Sequence, residues 1–239
     1  MYFGIYDPTI IVLIPAIVFA LYAQAKVSRA YSKYSKIPNS TGMTGRQAAR
    51  RILDANGLHH VPVEMVAGKL TDHYDPSRDV MRLSAEVYNG TTVAAVSIAA
   101  HESGHAIQDG TSYAFLKFRN AIAPVVNLAS TASWPLIFIG LIIIWSGRNF
   151  EMGDLIFDIG VIFFLAVILF HLVTLPVEFN ASRRAVAQLT DLGIISSYER
   201  KSARKVLSAA ALTYVAGALS SMLQLLRLII LFGNRSRRD

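Results

Sequence analysis

Three apolar runs decide what this chain can be. Residues 9–25 (TIIVLIPAIVFALYAQA), 121–146 and 155–177 each reach the length a helix needs to cross the hydrocarbon core of a bilayer, about 17–25 residues. Only 16% of the chain is charged, against about 25% in soluble domains, so an integral membrane protein is expected. Cysteine is absent, which excludes disulfides and thiolate ligands and leaves His, Asp and Glu to bind any metal.

Charge sets an orientation. A secretory signal carries positive charge ahead of its apolar core. Here the order is reversed, with Lys26, Arg29, Lys33 and Lys36 following the first run and nothing basic preceding it. A retained transmembrane helix with its N-terminus outside is expected. The second and third runs flank SGRNFEMGD and read as a transmembrane hairpin, returning to a segment, 179–205, that holds six Lys and Arg. Basic loops stay cytoplasmic, so 26–118 and 179–205 are expected on that side. The net charge of +7 is then mostly topology, with attraction to anionic lipid second, and no nucleic-acid motif accompanies it. The last apolar segment, 206–232, repeats Thr213, Gly217, Ser220, Gln224 and Arg227 every three to four residues. That polar stripe predicts a helix packed on the bundle or lying partly in the interface, with a cytoplasmic tail.

The long polar stretch has its own signals. Thr44 and Gln47 have capping-box spacing at the head of a short helix that Asn56-Gly57 stops. VPVEMV (61–66), KLTDHY (69–74) and VMRLS (80–84) read as strands, the last two joined through DPSRD as a hairpin. Asn89-Gly90 breaks the chain before a helix from about 92 to 108.

That helix carries AAHESGHAIQ (99–108). His101 and His105 are four apart, so both project from one face and can hold one Zn²⁺. Glu102 sits one position round, suited to take a proton from water at such an ion and pass it to a leaving amine. The preceding VAAVSIAA is small and apolar, which predicts a buried helix in which these polar groups need partners. Gly104 costs a helix about 1 kcal/mol against alanine and so implies close backbone packing.

A third ligand is required. His59 and His60 are adjacent in a loop, and His171 lies within the third apolar run, where a bundle hydrogen bond is an equal reading. Glu178 follows Pro176 where the hairpin returns to the basic side, near the expected helix. Spacing leaves it open whether Glu178 binds metal, satisfies a new helix dipole or pairs with Arg183. Ser182, four residues on, could hydrogen-bond its carboxylate. The 69–84 hairpin could accept an extended peptide by edge pairing, and Tyr214 or His73 could donate to a tetrahedral oxyanion.

HYDPSRDVMRLS, VYNG, AAHESGHAIQ, VEFNASRRA and AALTYVAGAL together resemble the YugP-type family of neutral zinc metallopeptidases, small multispanning membrane proteins of bacteria. The plan is also similar to the HtpX/Ste24 class of membrane gluzincins, with a leading membrane segment, an H-E-x-x-H helix, two spans and then a glutamate ligand. The resemblance implies His101, His105 and Glu178 as ligands and Glu102 as the base. One position departs: the HtpX/Ste24 class has an aspartate four residues after its glutamate, where this chain has Ser182.

The expected fold class is a mainly α-helical integral membrane protein with a small cytoplasmic α+β, gluzincin-like domain. Its expected parts are a transmembrane helix (1–25), the α+β segment with the H-E-x-x-H helix (26–118) and a transmembrane hairpin (119–177). A cytoplasmic helical segment with the third ligand (178–205) and a polar-striped helix with a basic tail (206–239) complete them. The expected function is zinc-dependent hydrolysis of peptides or membrane-protein segments near the cytoplasmic face of a bacterial cell membrane. A site-2-type intramembrane protease is a competing reading, although no N-P-D-G or L-D-G motif occurs. A non-enzymatic, zinc-stabilised scaffold or protease regulator is another, and the intact Glu102 argues against it.

The orientation is testable because the chain is free of cysteine. In intact cells, an impermeant thiol reagent should label Asn149→Cys, and should reach Lys36→Cys and Arg200→Cys only after permeabilisation. Labelling of position 36 in intact cells would reverse the topology.

Overall fold

A computed structural model of the protein describes residues 8–233, so the 234–239 tail and the start of the first segment lie outside the described residues. A 3-10 turn, Pro8–Leu13, leads into α1 (Ile14–Tyr34), followed by α2 (Gly45–Ala55), β1 (Val63–Val66), β2 (His73–Asp75) and β3 (Val80–Ser84). Then come α3 (Ala85–Tyr88), α4 (Val93–Gly110), α5 (Ala114–Ser146), α6 (Phe150–Asp191) and α7 (Arg200–Phe232). The protein is mainly helical, with one small sheet.

Among the described residues, four helical stretches are long and apolar enough to cross a membrane: Pro8–Tyr34, Ala114–Ser146, Phe150–Asp191 and Arg200–Phe232. By length and composition, α7 is as able to span as the other three. The segment read as a polar-striped helix packed on the bundle or lying partly in the interface is thus also of spanning length.

The chain divides into two compact units. The first comprises the described part of Met1–Leu21, Phe118–Thr174 and Tyr214–Asp239. Its interior is Ile137, Leu141, Phe157, Phe164, Ile168 and Leu228. Large apolar side chains such as Leu128, Ile142, Leu155 and Ile162 face outward, the pattern of a surface that meets lipid rather than water. Helices α5 and α6 meet along a seam of small residues. A Cβ on Gly140 would lie 2.6 Å from the Phe157 nitrogen, and one on Gly160 would lie 2.8 Å from the Ile137 nitrogen. Such residues let backbones approach where no hydrophobic force separates helix from lipid.

The second unit, Tyr22–Lys117 and Leu175–Thr213, is built around α4. Thr92 caps it by accepting from the Ala95 N–H at 3.2 Å. Val93, Val96, Ala100 and Ile107 pack with Ile52, Leu189, Ile194, Ala203 and Leu207 in one cluster. Ala99 and Ala106 pack with Leu53, Val61, Met81, Leu83 and Val87 in another. Small side chains in the first half of α4 permit this enclosure on several sides. The expected capping box is present on α2, with Gln47 N–H donating to Thr44 Oγ1 at 3.2 Å and Thr44 N–H donating to Gln47 Oε1 at 2.9 Å.

The sheet order is β1-β3-β2, with β1 parallel and β2 antiparallel to β3, so β2 is an edge strand. The expected strand at 69–74 shrinks to His73–Asp75, because Gly68 at φ +103° and Leu70 at φ +57° break the extended backbone before it. The DPSRD turn joins β2 to β3 as expected. Helix α3 was not anticipated.

The hairpin turn between α5 and α6 is also shorter than SGRNFEMGD suggests, spanning only residues 147–149 with Gly147 at φ +67°. Helix α6 continues unbroken through Pro176 to Asp191. Proline removes one backbone donor, and membrane helices tolerate that loss. Glu178 therefore lies in a helix interior, and the helix-dipole reading of it is withdrawn.

Helices α4 and α6 approach each other closely in the second unit. A Cβ on Gly104 would lie 2.7 Å from the Ala181 carbonyl oxygen and 3.2 Å from its Cα. Both obstacles are backbone, so they cannot swing aside. Gly104→Ala gains about 1 kcal/mol of helix propensity but must overpack the crossing, at about 1–3 kcal/mol. A lowered thermal midpoint is expected in purified protein, and a raised one would contradict this packing.

Candidate metal centre

His101 and His105 leave α4 on the face turned to α6, and Glu178 points back from α6. Glu178 Oε2 lies 3.2 Å from His101 Nε2 and 3.6 Å from His105 Nε2. One donor atom from each of the three residues falls within 4.8 Å of the others. The imidazoles meet edge to face at 82°, centroids 4.8 Å apart, so their donor nitrogens are not stacked side by side. All three groups are largely withdrawn from solvent, with Glu178 only 3% exposed.

These residues fit a zinc ion. Two donors each about 2.0–2.1 Å from a tetrahedral ion are about 3.3 Å apart, close to the two contacts that Glu178 makes. Two imidazoles and a carboxylate are also a donor set that zinc accepts. Among the described residues, this is the one group of three or more His, Asp and Glu so arranged.

The neighbours hold the rings. Ser182 Oγ lies 3.2 Å from His101 Nδ1, so the hydroxyl expected beside the Glu178 carboxylate instead meets the imidazole. Gln108, fully buried and one helical turn past His105, places its Oε1 3.0 Å from His105 Nδ1. The Gln108 amide nitrogen donates to the Val177 carbonyl at 2.7 Å and to Asn180 Oδ1 at 3.0 Å. Gln108 was missed in the sequence, although its i+3 spacing from His105 inside an apolar helix was a usable signal.

Glu102 is separate from the donor cluster. Its Oε2 accepts the backbone N–H of Tyr74 at 3.1 Å, which joins the edge strand β2 to α4. Burial is the largest influence on this carboxyl and raises its pKa above the ordinary glutamate value, against the opposing pull of His101 and His105. The Tyr74 hydroxyl also bridges Asp79 at 2.7 Å and Asp109 at 3.0 Å, tying the strand to the end of the same helix. Its pKa is raised, first by burial and then by those carboxylates.

None of the other sequence candidates belongs to the three-donor cluster. His73 is exposed at the start of β2, with its Nδ1 2.7 Å from the Thr71 carbonyl oxygen. Tyr214 is 38% exposed on α7, in the first unit. His171, also in the first unit, packs with its ring 3.6 Å from where a Cβ on Gly217 would stand. His59 and His60 are exposed and pair with Asp54 and Asp79, each at 3.0 Å.

Comparison with known proteins decides the family. Residues 9–233 match the family model described as "Putative neutral zinc metallopeptidase". The chain belongs to this family. Within it, the chain is 49% identical over 226 residues to the "Putative membrane protease YugP" of Bacillus subtilis (strain 168), covering 94% of this chain and 96% of that protein. The family resemblance read from the motifs is therefore correct. No solved structure matches the chain.

The geometry predicts the strength of one link. Tyr74→Phe removes the hydroxyl from two carboxylates while keeping the ring and the backbone N–H. A charged-group hydrogen bond is worth about 1.5–3 kcal/mol, so a measurable fall in the thermal midpoint is expected. An unchanged midpoint would show that β2 is not held to α4 through this hydroxyl.

Proposed function

We propose that the protein is a membrane-anchored zinc metallopeptidase that hydrolyses peptides or membrane-protein segments near the cytoplasmic face. The observation that carries this reading is the convergence of His101, His105 and Glu178 beside a carboxylate, Glu102, that is not part of the donor set. His101, His105 and Glu178 would hold the zinc. Bound zinc would polarise a substrate carbonyl and lower the pKa of a water to near 7.

The chain's own residues supply the remainder. Glu102 is the general base, placed beside the donor set without being part of it. The Tyr74 N–H fixes Oε2 and leaves Oε1 to receive the proton from water. The same oxygen then delivers that proton to the amine nitrogen as the peptide bond breaks. Ser182 and Gln108 hold the two imidazole rings through their Nδ1 atoms. The edge strand β2, joined to α4 at Tyr74, offers a backbone rail for an extended peptide.

The site-2-type alternative requires the H-E-x-x-H motif inside a span. Helix α4 is not among the four candidate spans, which favours the reading of a site outside the hydrocarbon core. The cytoplasmic side follows from the basic segments at 26–51 and 179–205.

Zinc content and peptide cleavage measured on the same preparations test the assignment. The native protein should carry one zinc and cleave a general peptide substrate. His101→Ala, His105→Ala and Glu178→Ala should each lose most of the zinc and all cleavage. Glu102→Gln should keep the zinc and lose cleavage by at least about 100-fold, the usual contribution of a positioned base. A zinc-replete, active Glu178→Ala would place the third ligand elsewhere, and an active Glu102→Gln would remove the base from this mechanism.

A further inference from the structure

We infer that Gln108 is the positioning residue of this centre, a single buried amide that sets the tautomer of His105 and anchors the α6 turn that carries Glu178. The inference rests on the zinc reading above and extends it to a residue outside the H-E-x-x-H motif.

The argument starts at a group with no choice. The Val177 carbonyl oxygen can only accept, so the Gln108 atom 2.7 Å from it must be the amide nitrogen. This fixes the amide against the flip that ordinarily leaves its two ends ambiguous. Its oxygen, Oε1, then faces His105 Nδ1 at 3.0 Å. An amide oxygen also only accepts, so Nδ1 must carry the hydrogen. In neutral imidazole the lone pair is then on Nε2, the nitrogen turned toward Glu178 at 3.6 Å. Two one-way groups in series thus determine which His105 nitrogen is available to a metal.

The other end of the amide works on the second helix. The two acceptors of the Gln108 NH₂ group, Val177 and Asn180, flank Glu178 in sequence. Asn180 Oδ1 is itself held by Arg184 Nε at 2.9 Å. The amide end meets three partners, His105, Val177 and Asn180, and Gln108 is wholly withdrawn from water. Removing the amide would strand the His105 Nδ1–H and free the Glu178 turn together. A residue packed for volume alone would need none of these directional matches.

Two variants and one spectrum separate positioning from bulk. Zinc affinity is measured by chelator competition in purified protein, beside the thermal midpoint of the metal-free form. Gln108→Met keeps the volume but offers His105 no good acceptor, and zinc binding about 10–100-fold weaker than native is expected. Gln108→Glu keeps an acceptor for His105 Nδ1 but loses the donor to Val177 and Asn180, so an affinity between that of Gln108→Met and native is expected. In native protein with ¹⁵N-labelled histidine, the His105 signals, assigned by their loss in His105→Ala, should show a hydrogen on Nδ1 whether or not the variants fold. Native-like zinc affinity in Gln108→Met, equal weakening in both variants, or a His105 whose Nδ1 carries no hydrogen in native metal-free protein would overturn the inference while leaving the zinc reading intact. A native protein that takes up no zinc would overturn the zinc reading itself and this inference with it.

Discussion

Backbone contact between α4 and α6 is the constraint on which the rest of the second unit depends. Gly104 sits on α4 between the two histidines, and the position its Cβ would occupy is already taken by the Ala181 carbonyl. Only at that separation can Glu178 reach two imidazoles on the neighbouring helix with one carboxylate oxygen. The same separation lets Ser182 meet His101 and Gln108 meet Val177 and Asn180. A missing side chain is therefore as much a part of the site as the three donor residues.

The surroundings explain why these polar groups survive in so apolar a chain. Burying an imidazole or a carboxylate without partners is costly, and here each finds a directional one. Helix α4 is enclosed by two apolar clusters while its polar atoms face α6 and the edge of the sheet. The bond from the Tyr74 N–H to Glu102 carries the sheet into this arrangement, and the hydroxyl of the same residue fastens the strand again at Asp109. Structure and chemistry are joined through one short strand.

Much of this was legible in the sequence where the signal is local. The i, i+4 spacing of His101 and His105, the Thr44–Gln47 capping box and the apolar runs depend only on helical geometry and composition, and all appear as expected. Gly104 was legible too, because a glycine inside a helix calls for a reason. What failed was context. Pro176 suggested a break, yet α6 runs on, since a long helix packed on its neighbours survives one lost donor. Continuity then carries Ser182 to the His101 ring rather than back to the Glu178 carboxylate. The strand at 69–74 was overlong because φ at Leu70 is decided by the loop around it and not by its own preference for extended backbone. Glu178 is 77 residues from His101, and no local periodicity reaches that far; family likeness pointed to it where spacing could not.

The central claim is that two helices bring two imidazoles and one carboxylate onto a single zinc ion. X-ray absorption at the zinc edge, on purified native protein without added metal, addresses it most directly. The account predicts bound zinc whose nearest neighbours are nitrogen and oxygen only, with two imidazole-type contributions at about 2.0–2.1 Å. A spectrum with three or more imidazoles, or protein purified without zinc that cannot be loaded, would contradict it.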